Sequence, residues 1–212
     1  KMWAALVAHV PRLVDSPAGM RRVQKSLNAW WKRSPGGSGR EVWPEEIAYA
    51  IAGVLLHRKL VLQAVGVILE MDSYQRPGEI DALTVKQMVA PQRGRSSCWV
   101  ILTHPSEDQI PGKTGIVDGS ILLDGVNQEM WNAILPALVG QRNPDELLLP
   151  IPPSGKSSLS QVFKEALETL KLDNLQIVRY GLRHTGASRD LAQQYRQIQE
   201  VKDRGGWRSD ES

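Results

Sequence analysis

Apolar residues recur at intervals of three and four along most of the chain, the spacing that gathers them onto one face of an α-helix. Residues 4–14 read as one helix and residues 18–32 as a second. In the second, Met20, Val23, Leu27 and Trp30 form the apolar stripe, and Arg21, Arg22, Lys25 and Lys32 fall mostly elsewhere on the surface. Ser34-Pro-Gly-Gly-Ser-Gly39 breaks the pattern and marks a linker. The reading is therefore a helical unit over residues 1–38 and a second domain over residues 39–212. Beyond the linker, Pro44 followed by Glu45 and Glu46 suits a helix start, since carboxylates favour the positive end of the helix dipole. That helix is expected to run to about His57, and another from Lys59 to about Met71.

Arg76-Pro77-Gly78 interrupts, and a short helix is expected over residues 79–83. Residues 98–103 and 120–124 are short β-rich runs joined by a turn-rich connection, which predicts a small antiparallel sheet. Further helices are expected over residues 128–139, 159–170, 182–194 and 197–203. Gly205-Gly206 is placed to cap the last of them. The fold class is mixed α+β, mainly helical. No internal repeat stands out.

A chain of 212 residues with 42% hydrophobic residues can bury a real core. Its net charge of +3 is modest, but residues 16–40 hold six basic side chains and no acidic one. Such a block suits contact with a polyanion; a solvated helix face is the alternative. Trp30 and Trp31 could stack on DNA, although core packing suits at least one of them. Cys98 is the only cysteine, which excludes an intrachain disulfide and suggests a reduced, intracellular setting. The four histidines lack ligand spacing, so no structural metal is expected. The apolar run over residues 47–69 is broken by His57, Arg58 and Lys59 and is two helices rather than a membrane span. Beginning at Lys1, the chain reads as a piece of a longer protein.

The candidate chemistry lies in Gln75-Arg-Pro-Gly-Glu-Ile80, Lys113 within Gly112-Lys-Thr-Gly115, Tyr180-Gly-Leu-Arg-His-Thr185 and Gly206-Trp207. Arg76 and Arg183 could be structural arginines paired with Asp72, Glu79 or Asp190. They could equally act together, because a planar guanidinium fork grips two oxygens of a phosphate, and two forks would offset charge in a five-coordinate transition state. Gly112-Lys-Thr and Gly155-Lys-Ser echo a phosphate-binding loop. Glu107 and Pro150 stand where that loop needs its first glycine, which excludes it. A metal-dependent nuclease using Asp72, Glu79 and Asp81 is a further, weaker option.

Taken in order, these segments resemble the active-site series of the tyrosine recombinases, the phage-integrase-like enzymes that break and rejoin DNA. Arg-Pro-Gly-Glu and Gly-Trp resemble most the eukaryotic mobile-element branch, including Crypton-like recombinases. The resemblance implies an integrase-like catalytic domain preceded by the end of a helical core-binding domain. It implies Arg76 and Arg183 as a phosphate clamp, Lys113 as general acid, Tyr180 and Trp207 completing the pocket, and Glu79 and His184 in support. DNA contacts would include Arg21, Arg22, Lys25, Lys32 and Arg33.

The implied reaction is DNA recombination or integration through a 3′-phosphotyrosyl intermediate, with no cofactor. The partners would be double-stranded DNA and other copies of the chain on that DNA, in the nucleus if the source is eukaryotic. Two departures stand out. Tyr180 replaces the family's usual His or Lys with a phenol, a poor base at neutral pH. The family's nucleophilic tyrosine follows the Trp position and would fall beyond Ser212, so residues 39–212 read as a catalytic domain cut before it. An inert DNA-binding descendant of such an enzyme is the alternative reading.

Overall fold

The structure is a computed structural model that describes residues 42–104, 119–175 and 177–207. The chain divides into Lys1–Arg40 and Glu41–Ser212, and all described residues belong to the second unit. The expected helices over residues 4–14 and 18–32, the linker, the five basic side chains from Arg21 to Arg33, and Lys113 lie outside the described residues.

Helix α1, Glu45–His57, buries Ala48, Ile51, Ala52 and Leu55 along a single stripe. Glu45 and Glu46 stand in its first turn, where the dipole favours them. Lys59 adopts a left-handed conformation (φ 61°) and turns the chain into α2, Val61–Ser73. Every residue of α2 from Gln63 to Ser73 is buried. A helix covered on all sides must be a central one, and α2 packs against α1 and against the later helices Leu159–Thr169 and Gly181–Ala192. Tyr74 ends it, also left-handed (φ 55°).

Arg76 then takes an extended conformation, as sterics demand of a residue before proline. Pro77 opens the short helix α3, Pro77–Asp81, where its missing N–H is harmless. A 3₁₀ turn over Val85–Gln87 leads into β1, Met88–Val89. Strands β2, Val100–Thr103, and β3, Gly119–Leu122, complete an antiparallel sheet of order β1-β2-β3. Ile101 pairs with Ile121 and Thr103 with Gly119, while Met88 pairs with Ile101 on the other edge. The sequence pattern points to β2 and β3 only. With two residues, β1 is too short to show the alternation that identifies a strand.

Helix α4, Gln128–Val139, carries Pro136 in its final turns and stops at Gly140. Helix α5, Leu159–Thr169, starts where the Ser158 hydroxyl accepts the Gln161 backbone N–H. Helix α6, Gly181–Ala192, and α7, Ile198–Gly205, follow. The chain is thus mixed α/β, helix-dominated, with a three-stranded antiparallel sheet. Among the described residues, no helix is long and apolar enough to cross a membrane.

One close approach fixes how α6 meets α2. A methyl group at Gly186 would run into the carbonyl oxygen of Met71. Only glycine lets the two backbones come this near, and Arg183 is thereby held against the end of α2.

Candidate functional site

The site is built at the C-terminal end of α2, where three distant segments meet. Arg76 is the N-cap of α3, and Glu79 reaches back across the first turn. One Glu79 oxygen accepts the Arg76 backbone N–H at 2.7 Å, and the other accepts from the guanidinium at 2.6 Å. This is the carboxylate half of a capping box, and it fixes both the backbone and the head of Arg76. His104, left-handed (φ 49°) at the end of β2, places Nε2 3.8 Å from Glu79 Oε1.

Arg183 enters from α6 and is almost fully buried. Its guanidinium donates to the Gly205 carbonyl at the end of α7. Gly206 is left-handed, the Trp207 N–H bonds to the Lys202 carbonyl and the Gly206 N–H to that of Asp203, which together make a Schellman turn. That turn folds Trp207 back over Arg183, with Cζ 4.7 Å from the ring centroid. The indole also stacks on His184, at 5.6 Å between centroids, and on Tyr74, at 6.2 Å.

Beside them lies a cavity of about 90 Å³ whose walls include Arg76, Glu79, His104, Arg183, Asp203, Arg204 and Tyr74. Sites for whole cofactors and drug-sized ligands run to several hundred Å³ (roughly 300–1,000). The cavity thus suits a small anion or one phosphate group of a larger molecule. Its floor is the start of β3, with Gly119, Ser120 and Ile121.

Two buried ionic networks hold the walls. Arg179, just before α6, donates to Glu70 of α2 at 2.6 Å, to both Asp81 oxygens of α3 at 2.7 and 2.9 Å, and to the Pro77 carbonyl at 3.2 Å. Burial pushes the Glu70 carboxyl up to about 8, against the pull of the Arg179 charge. On the other side, Arg189 holds Asp72 and Asp190, each at 2.9 Å. Asp190 also accepts the Tyr74 hydroxyl at 2.5 Å and Arg196 at 3.0 Å. Burial, then the Asp190 charge, raises the Tyr74 phenol well above its ordinary range. Tyr74 is therefore a fixed hydrogen-bond donor here and a wall of the cavity. Asp72 is further tied to the Trp131 indole at 2.8 Å and to Asn127 at 2.9 Å.

The structure thus brings Arg76 and Arg183 to one cavity, with Trp207 stacked on Arg183, Glu79 bracing Arg76 and His184 beneath the indole. Tyr180 stands apart from them. As N-cap of α6 it leans onto His184, at 5.6 Å between ring centroids, and lines a separate hollow with Ser160, Phe163, Lys164 and Leu167 of α5. Among the described residues, Tyr180 meets the cavity group through His184, which stacks beneath Trp207. The carboxylates of the nuclease option are dispersed, with Asp72 held by Arg189, Glu79 by Arg76 and Asp81 by Arg179. Among the described residues, no group of three His, Cys, Asp or Glu could hold a metal ion.

Three residues of the site escape the sequence reading. His104 has a weak signal, following a strand at the entry to the segment that carries Lys113. Arg204 stands directly before the Gly-Gly-Trp motif. Arg179 directly precedes the Tyr180 box. No protein-family model matches the chain, and no curated protein matches it significantly.

Proposed function

We propose that residues 39–212 are an integrase-like catalytic domain that engages a DNA phosphodiester for strand breakage and rejoining. The observation that carries the reading is the convergence of Arg76 and Arg183, from α3 and α6, on one phosphate-sized cavity. Two guanidinium groups in a largely buried site match the need of phosphoryl transfer, where charge grows on the equatorial oxygens. The tyrosine-recombinase resemblance supplies the chemistry. A tyrosine attacks phosphorus, the 5′ oxygen departs with a proton from Lys113, and reversal onto another 5′ hydroxyl reseals the strand.

A second reading is a DNA-binding protein of the same ancestry with a disabled site. It is favoured by Tyr180, a phenol in place of the family's His or Lys that faces a different hollow.

A nicked duplex that traps covalent intermediates separates the two. The full-length gene product should form a protein–DNA adduct, and Arg183→Ala should cut its rate by on the order of 10²–10³ with binding largely kept. DNA binding without any adduct would establish the inert reading. Absence of DNA binding would overturn both.

A further inference from the structure

We infer that Arg204 is a third anion-recognition group of the cavity, completing with Arg76 and Arg183 a three-guanidinium site for a tetrahedral phosphate. The inference deepens the proposed phosphodiester site and rests on that reading for the ligand's biological source.

Arg204 lies in the last turn of α7, among the residues that line the cavity. Its side chain is 8% exposed. The guanidinium sits over the Tyr74 ring, 5.0 Å from the centroid, and donates to the Asp72 carbonyl oxygen at 2.6 Å. Ring and carbonyl hold the head in place but bring no countercharge. Arg179 and Arg189, equally buried, each hold two carboxylates within 2.9 Å. The carboxylate of Asp124 stands 3.9 Å from Arg204 and is already engaged by Arg196. The Nε–H of Arg204 is buried and has no hydrogen-bond partner among the described residues. Burial, then the nearby charge of Arg196, pulls its pKa below the ordinary arginine value.

A buried cation with an open donor is costly unless something supplies an acceptor and a negative charge. A phosphate in the adjoining cavity supplies both. Charge and shape together select the ligand, since a planar fork pairs with two oxygens of a phosphate.

The test uses the chain as it stands, with inorganic phosphate as probe and chloride at matched ionic strength as control. Phosphate should move the Arg204 Nε–H resonance in arginine-selective NMR, the signal being assigned by its loss in Arg204→Lys. Titration calorimetry should show phosphate binding weakened about tenfold or more in Arg204→Lys and Arg204→Met, the usual weight of a charged hydrogen bond. Cooperative unfolding should persist in both variants without ligand. An unmoved Arg204 signal, or equal phosphate affinity in wild type and Arg204→Lys, would overturn the inference, and the NMR arm holds even if Arg204→Met fails to fold. A short DNA duplex run in parallel separates the sources: a shift with duplex marks the phosphodiester as ligand, and a shift with phosphate alone marks free phosphate. If phosphate binds through Arg204 while the full-length protein forms no DNA adduct, the inference stands and the recombinase reading falls. If adducts form at the wild-type rate in Arg204→Lys and the wild-type Nε–H resonance does not shift with phosphate, the inference falls and the recombinase reading stands.

Discussion

The Trp207 indole covers the Arg183 guanidinium, and the same ring is stacked between His184 and Tyr74. One side chain thereby shields a buried cation, closes the end of α7 and touches the residue that terminates α2. Trp207→Ala removes an aromatic stack and a cation–π contact, together worth roughly 2 kcal/mol. Urea unfolding should show that loss, with Trp207→Phe losing less than half as much. Equal losses would mean that ring area contributes little at this position.

Glycine positions give a paired stability test. Gly186→Ala forces a methyl into the Met71 carbonyl and should cost roughly 1–3 kcal/mol as overpacking. Gly53→Ala, on an exposed position of α1 with open space around it, should gain roughly 0.5–1 kcal/mol from better helix propensity. Thermal melts of the two variants should shift in opposite directions.

Glu70 predicts a pH signature. Its carboxyl is raised in the folded state from 4.5 to about 8, so the native protein binds that proton more tightly than the unfolded chain does. The resulting stability is fully present below pH 4.5 and is lost as pH rises through about 8. Across that window, unfolding free energy should fall with pH more steeply in wild type than in Glu70→Gln. The difference in slope approaches about 1.4 kcal/mol per pH unit at most. Parallel pH profiles would show that Glu70 stays ionised beside Arg179.

For the basic segment the expected observable is a salt slope. If Arg21, Arg22, Lys25, Lys32 and Arg33 each neutralise a phosphate, changing them to Gln should lower the log–log salt dependence of duplex binding by ~0.9 per contact. An unchanged slope would make them a solvated surface.

Much of the helical framework is legible in the residues. The periodicity over residues 128–139 gives α4 with its observed ends, and the apolar run up to residue 69 gives most of α2, with each end set about two residues early. Strand β1 is invisible because two residues carry no period. Motif order singles out Arg76, Arg183 and Trp207, which the fold then gathers. The partners that matter to them are harder to see. Arg179 reaches Glu70 and Asp81 from the far side of the sheet-bearing segment, and no local spacing encodes that contact. Arg204 has the same problem, since its neighbours Tyr74, Asp72 and Asp124 come from distant parts of the chain.

The fork of Arg179 has a consequence for the two cavity arginines. It fastens α2 and α3 to the start of α6, so the segments bearing Arg76 and Arg183 are anchored to one rigid guanidinium. Their separation is then set by the core and not by the long stretch of chain between them. The electrostatic work of drawing two like charges together is done once, when the chain folds, and need not be repeated each time an anion arrives. On the proposed reading, an incoming phosphate would find the two guanidinium groups already in place.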